Sequence, residues 1–385
     1  MQSGVLLDAL LSNVRNLPFN LEFAVTNKCN LRCVQCNVWR YYNENPEKSR
    51  EELTVEEIEN IFSSYNGFSM IGITGGEPFL REDLPEIVSV ISRTQRKLRM
   101  LFITTNGQLP ETTERKLREI LENRDANGRR FRLVQLVSLD GPRNLHNYIR
   151  SNEKAYDRVI NTIKLLSELR SVYDIFDLGT VTVCSPFNID KFDEVISEIA
   201  KLKNEYDLEP SFCVWFKGRL YKNIKSQEDV EKFRRKLIDL IPEIKGVVKK
   251  RKSLLSTGRC VFYDLLNSWL ENPTKQVVPC GAAKVRYVLD TYGNVYPCTI
   301  FNAAIGNLRH YNYSLIELFS SNRRRKVRLL VEREGCPICC NTCETIPAMM
   351  AYPLHTLIKW INSSALGFNR PHDSRKECKT QRCFL

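Results

Sequence analysis

Histidine is scarce: the 385-residue chain has four. None lies near the first group of cysteines, so imidazole offers that group no further ligand. Long apolar runs are missing as well. No stretch approaches the roughly 18 consecutive apolar residues that a membrane span needs. The opening MQSGVLLDALLSNVRN is interrupted by Asp8, and its apolar run is too short for a signal peptide. The default location is therefore the cytoplasm. Internal repeats and low-complexity segments are absent, which excludes solenoids and extended linkers.

What is plentiful is cysteine, with fourteen residues. In a reducing compartment these are poor candidates for disulfides, and a chain that is 43% hydrophobic has core enough not to need staples. Metal binding is the leading explanation. The net charge of +12, with basic runs at 249–252 and 323–328, favours an anionic partner such as an acidic redox protein, a phosphorylated substrate or a membrane surface. Nucleic acid is not expected.

From residue 21 to 216 short β-rich runs alternate with longer amphipathic segments, the pattern of βα units around a parallel sheet. Strands are expected at 21–26, 69–74, 99–104, 132–139, 176–183 and 211–216. Thr54 and Glu57 form a capping-box pattern ahead of Ile58 and Ile61, and residues 156–169 carry an apolar helical face. A small N-terminal extension, 1–20, precedes this unit. A charged helical linker, 217–259, follows it, and 260–385 holds nine of the fourteen cysteines.

The chemistry-bearing residues fall where strands end. AVTNKCNLRCVQCNVW places Cys29, Cys33 and Cys36 behind the first strand. GGEP at 75–78 follows the second, TNG at 105–107 the third and SLDG at 138–141 the fourth. Ligands of parallel α/β folds bind at the carboxyl ends of strands, so these pieces are expected to converge. Structural zinc wants a fourth ligand, and a thioredoxin-like pair in Cys33–Cys36 leaves Cys29 unemployed. A four-iron, four-sulfur cluster fits three thiolates better, leaving one iron open to a non-protein ligand.

CxxxCxxC, then GGEP, then SLDG followed by His146 and Arg150, resembles the radical S-adenosylmethionine (SAM) superfamily over about residues 20–216. The resemblance implies an α/β fold, a partial (β/α)6 TIM-like barrel. It also implies a [4Fe-4S] cluster on Cys29, Cys33 and Cys36 whose open iron chelates SAM. Reductive cleavage of SAM would give a 5′-deoxyadenosyl radical that abstracts hydrogen from substrate. Gly75, Gly76 and Glu77 would meet the SAM ammonium, Ser138 the ribose and Arg150 the methionine carboxylate. Asp140 would be structural, and His146 and Asn106 packing and turn residues. Gln35 stands where the family often has an aromatic residue.

The last third looks like that superfamily's SPASM/twitch extension, a small cysteine-rich β-hairpin/helix domain. Residues 279–298 alternate and turn as a hairpin flanked by cysteines, and CPICCNTCE follows at 336–344. The expected ligands of one auxiliary [4Fe-4S] cluster are Cys280, Cys298, Cys336 and Cys339, with Cys343 as replacement for one of the last pair. A second auxiliary cluster recruiting Cys378 stays open. Cys340 is read as packing, Cys184 and Cys213 as core, while Cys260 and Cys383 are unassigned.

The implied activity is that of a radical SAM oxidoreductase dehydrogenating or epimerising a small or carrier-linked (for example lipid-linked) substrate, since too few residues precede the first strand for a leader-peptide module. A peptide-modifying maturase and a non-catalytic iron–sulfur electron carrier are the alternatives. The expected electron donor is a flavodoxin or ferredoxin. Leu354, Leu357, Ile358 and Ile361 share one helical face beside Lys359 and Trp360, which reads as core packing, with peripheral membrane contact the other reading.

Overall fold

The computed structural model describes residues 2–215, 227–249, 254–273, 276–333, 336 and 338–366. One nine-stranded sheet organises them, made of β1 (Asn20–Thr26), β2 (Met70–Gly75), β3 (Met100–Thr105), β4 (Arg132–Ser138), β5 (Phe176–Cys184), β6 (Glu209–Val214), β7 (Arg286–Leu289), β8 (Asn294–Tyr296) and β9 (Gly306–Asn307). The spatial order is β6-β5-β4-β3-β2-β1-β7-β8-β9. Strands β1 to β6 run parallel, as the alternating pattern predicts, and each lies within two residues of its expected bounds. The predicted end of the sixth strand, Phe216, is outside the described residues.

The hairpin expected between the cysteines is β7–β8, closed by an Asp290 side chain that accepts from the Tyr292 and Asn294 amides at 2.9 Å. Its first strand also pairs in parallel with β1, so the cysteine-rich region extends the main sheet. Because β1 has β7 as its second neighbour and β6 lies at the edge, the barrel is open.

Helices follow from the same periodicities. α1 (Gln2–Arg15) precedes the sheet, and α2 (Val38–Glu44), α3 (Val55–Ser63), α4 (Leu84–Thr94), α5 (Pro110–Ala126), α6 (Arg143–Arg150), α7 (Ala155–Arg170) and α8 (Phe192–Tyr206) follow strands. α3 starts with the predicted capping box: Thr54 accepts from the Glu57 amide and Glu57 from the Thr54 amide. Apolar faces of α3, α4, α5, α7 and α8 pack on the outer face of the sheet, against Leu21, Phe23, Ile71, Ile103, Leu133 and Leu178. α9 (Gln227–Val248) and α10 (Leu254–Glu271) add Phe233, Leu237, Ile241 and Leu266 to that core, so the charged segment buries a full apolar stripe. The remaining helices are α11 (Leu315–Ser320), α12 (Asn322–Arg333), α13 (Thr342–Ala351) and α14 (Pro353–Leu366).

The inner face carries the alternate residues. Glu22 on β1 lies over Gly72 on β2, where an added Cβ would sit 2.6 Å from the Glu22 Oε2. Val5 and Ala9 of α1 and Ala351 of α13 pack with Met70, Met100 and Val134, plugging the amino end of the lumen. The carboxyl end is left for the loops that bear the site.

Candidate functional site

The cysteine loop leaves β1 and immediately meets the glycine loop. The Gly76 amide donates to Thr26 O and the Glu77 amide to Lys28 O, both at 2.7 Å. This approach requires both glycines: a Cβ would come within 2.2 Å of Thr26 O at Gly75, where φ is +130°, and within 2.1 Å of Lys28 O at Gly76. Sequence spacing and backbone sterics thus put the two motifs in contact.

Glu77 is fully buried. Its Oε1 accepts from the Phe79 amide at 3.1 Å and the Thr105 hydroxyl at 2.8 Å, and its Oε2 from the Asn106 amide at 2.7 Å. The carboxylate is therefore held by its own chain and ties the end of β2 to the end of β3. Burial pushes its pKa up to about 7 against those three donors.

Asn106 does more than turn the chain. Its side-chain amide donates to Asn30 Oδ1 at 2.7 Å and lies 3.8 Å from Cys29 Sγ. Arg150, at the end of α6, is buried rather than solvated: it pairs with Asp140 at 2.7 Å and donates to Cys33 Sγ at 3.8 Å. Asp140 also accepts from the Gln35 side chain at 3.3 Å and the Val183 amide at 3.1 Å. Gln35 therefore anchors the loop to β5 through Asp140. His146 accepts from the Asp140 amide at 3.1 Å, and burial, then Arg150, keeps it neutral far below its usual range. Ser138 ends β4 at this same rim of the sheet. Asn106, Asp140 and Gln35 are the participants that residue-by-residue reading underrated, and their signal was position at a strand end or inside the cysteine loop.

Cys29, Cys33 and Cys36 are crowded and largely buried. Burial, with the Cys33 thiol adding to it, pushes Cys29 up to about 12 and Cys36 up to about 11. Three such thiols are poorly placed as thiolates unless a cationic centre shares them, since a metal inverts the local electrostatics. Among the described residues no three His, Cys, Asp or Glu groups close on a single ion. A four-iron cluster asks for a wider triangle, because each thiolate binds its own iron. The donor set, three sulfurs with amide and guanidinium donors behind two of them, fits that group.

The second group lies beyond β7. Cys280, Cys298, Cys336 and Cys339 share one apolar cluster with Ala282, Ile300 and Val331. Burial raises Cys339, and then the thiols of Cys280, Cys298 and Cys336 raise it further. The Phe301 amide donates to Cys298 Sγ at 3.2 Å, and Arg328 donates to Cys280 O at 2.9 Å. Cys343 is not in that apolar cluster, and after burial its thiol is raised by Glu22 and Cys213 on the inner face of the barrel. Cys340 packs in the main core, as expected, beside Thr345. Cys184 is buried core, Cys213 is half-buried on the inner face, and Cys260 packs against the core from α10. Cys378 and Cys383 lie outside the described residues.

A polar network ties the C-terminal cysteine group to the amino end of β1. The Thr299 amide and hydroxyl, next to Cys298, donate to Glu344 at 3.0 Å. Glu344 pairs at 2.9 Å with Arg286, which reaches Asn20 on β1 at 3.1 Å.

Fold and site together define an open parallel α/β barrel that presents a three-thiol loop against a glycine-rich loop at its carboxyl rim. The chain matches the model of the radical SAM superfamily over residues 23–204. It is 22% identical over 314 residues to the antilisterial bacteriocin subtilosin biosynthesis protein AlbA of Bacillus subtilis, covering 79% of this chain and 60% of that protein. A probable GTP 3′,8-cyclase of Archaeoglobus fulgidus is 39% identical over 102 residues, 26% of this chain and 31% of the cyclase. The chain thus spans less than two thirds of these curated relatives. Among solved structures, native anSMEcpe with bound AdoMet superposes with a TM-score of 0.55 at 18% identity, covering 91% of this chain and 100% of that one. Streptococcus suis SuiB bound to S-adenosylmethionine also gives 0.55, at 17% identity over 86% and 72% of the two chains. The chain accordingly has the parallel, unclosed sheet of that superfamily, and its cysteine-rich C-terminal region fits a SPASM/twitch extension.

Proposed function

We propose that the chain cleaves SAM reductively and abstracts hydrogen from a substrate admitted to the lumen, with a [4Fe-4S] cluster on Cys29, Cys33 and Cys36. Bound there, the cluster supplies the single electron that breaks a C–S bond of SAM. The contact of the glycine loop with the three-thiol loop carries this reading. The protein's own share is electrostatic and steric. Asn106 and Arg150 direct N–H groups at Cys29 and Cys33, offsetting thiolate charge. Glu77 fixes the Asn106 amide, and the bare backbone of Gly75 and Gly76 leaves room for the SAM ammonium. Ser138 faces the ribose, and Arg150, shared with Asp140, takes the methionine carboxylate. A flavodoxin or ferredoxin supplies the electron.

Cys280, Cys298, Cys336 and Cys339 are proposed to hold one auxiliary [4Fe-4S] cluster, with Cys343 left free of it. The likeness to AlbA runs across 79% of the chain and favours a peptide over a small or carrier-linked substrate. Anaerobic reconstitution with SAM and a strong one-electron reductant tests the chemistry: 5′-deoxyadenosine and methionine should form, and replacing Cys29, Cys33 and Cys36 by alanine should abolish both. Comparing peptides and metabolites of cells with and without the protein tests the substrate class, and a changed small metabolite beside an unchanged peptide pool would refute the peptide reading.

A further inference from the structure

α1 and α14 are apolar where they meet solvent. α1 buries Val5 and Ala9 on one side, yet Leu7 is 55% exposed and Val14 81% exposed on the other. On α14, Leu354, Leu357, Ile358 and Ile361 are 47–70% exposed, while Thr356 and Trp360 hold the helix to the body, Trp360 by donating to Asp264 at 2.9 Å. The face predicted to pack in the core therefore looks outward. α12 adds exposed Leu329 and Leu330. Together these helices carry ten of the fifteen exposed large hydrophobic side chains among the described residues, a concentration that scattered surface residues do not produce.

Hydrogen bonds join the three helices into one region. Asn13 of α1 donates to Ala351 O at the α13–α14 corner at 3.1 Å, and Arg324 of α12 donates to Asn16 Oδ1, just past α1, at 2.8 Å. The charge there has one sign. Arg15, Arg323, Arg325, Lys326 and Lys359 are exposed, whereas the only acids on the three helices, Asp8 and Glu332, are paired with Arg99 and Arg328.

We infer that this face docks on an anionic lipid surface, with α1 and α14 lying in the interface and the basic residues reaching the headgroups. An apolar stripe beside cations, on helices too short and too polar to cross a bilayer, is the signature of interfacial attachment. A second copy of the chain is a poor occupant, because a twofold contact would set like charges against each other. Residues 367–385 have only Phe368, Phe384 and Leu385 as large aliphatic or ring-bearing apolar residues, too few to cover ten side chains.

Co-sedimentation of the reconstituted full chain with vesicles tests this. At 0.1 M salt, binding to phosphatidylglycerol/phosphatidylcholine vesicles should exceed binding to phosphatidylcholine alone at least tenfold, and 1 M salt should reduce it severalfold. Leu357→Glu with Ile361→Glu should lower binding at least tenfold while iron content stays parental, and Leu10→Ser with Val14→Ser should do so independently. Absence of binding to anionic vesicles, variants that bind like the parent, or a lipid-independent dimer that the same variants disperse would each overturn the inference.

Discussion

Glu77 shows why a motif can be legible while its physics is not. The sequence predicts a carboxylate facing SAM, and the structure finds it sealed under three donors of its own chain. Because its folded pKa of about 7 lies above the ordinary value near 4.5, its contribution to stability is complete below about pH 4.5 and is lost as pH rises through 7. The urea midpoint of the parent should therefore fall across that window, by an amount corresponding to about 3 kcal/mol. Glu77→Gln should flatten the profile, because the amide does not titrate. The same variant gives the Asn106 amide a poorer partner and should weaken SAM binding about tenfold without removing iron. Parental SAM affinity in the variant, measured by equilibrium dialysis, would dismiss a role for Glu77 at the site. Arg150 and Asn106 were hard to place for a related reason: each becomes informative only through a partner distant in sequence, Asp140 and Cys33 for one, Cys29 and Asn30 for the other.

Elements were more legible than the contacts between them. The capping box of α3 was readable because it is local, but Glu57 also takes Arg309 at 2.7 Å and the Tyr313 hydroxyl at 2.9 Å from the cysteine-rich region, contacts that lie some 250 positions away. Glu57→Gln should thus weaken a cap and an inter-region ion pair together, costing about 1–2 kcal/mol in a urea titration, whereas Glu56→Gln, on the exposed side of the same turn, should leave the midpoint nearly unchanged. The basic run of α12 misled in the opposite direction. Read as one basic run facing an anionic partner, it alternates in role: Arg324 is buried and donates to Ala283 O and the Tyr287 hydroxyl, both at 3.0 Å, and Arg328 donates to the backbone of Cys280 and Ala282. Arg324→Ala should cost about 2–4 kcal/mol, since it leaves buried acceptors without a donor. Arg325→Ala should be nearly neutral in the same urea titration.

At the scale of the whole molecule, the parallel sheet was foreseeable from the βα alternation, whereas its continuation through β7 was not, because strand pairing across 260 residues leaves no local pattern. That continuity has a consequence for metal content. The two cysteine groups hang from one sheet but use separate loops, so each should load without the other. Each cubane brings about four irons, and reconstituted parent protein should hold about eight per chain. Alanine at Cys29, Cys33 and Cys36 together should leave about four, and Cys339→Ala should also leave about four while sparing the SAM site. Cys343→Ala separates the two accounts of the C-terminal cysteines. Its thiol lies beside Glu22 and Cys213 rather than with Cys280, Cys298, Cys336 and Cys339, so this variant should keep all eight irons. A loss of about four irons from Cys343→Ala, with Cys339→Ala unchanged from the parent, would move the auxiliary cluster onto the lumen side of α13. Zinc in place of iron in the C-terminal group would remove the auxiliary cluster altogether.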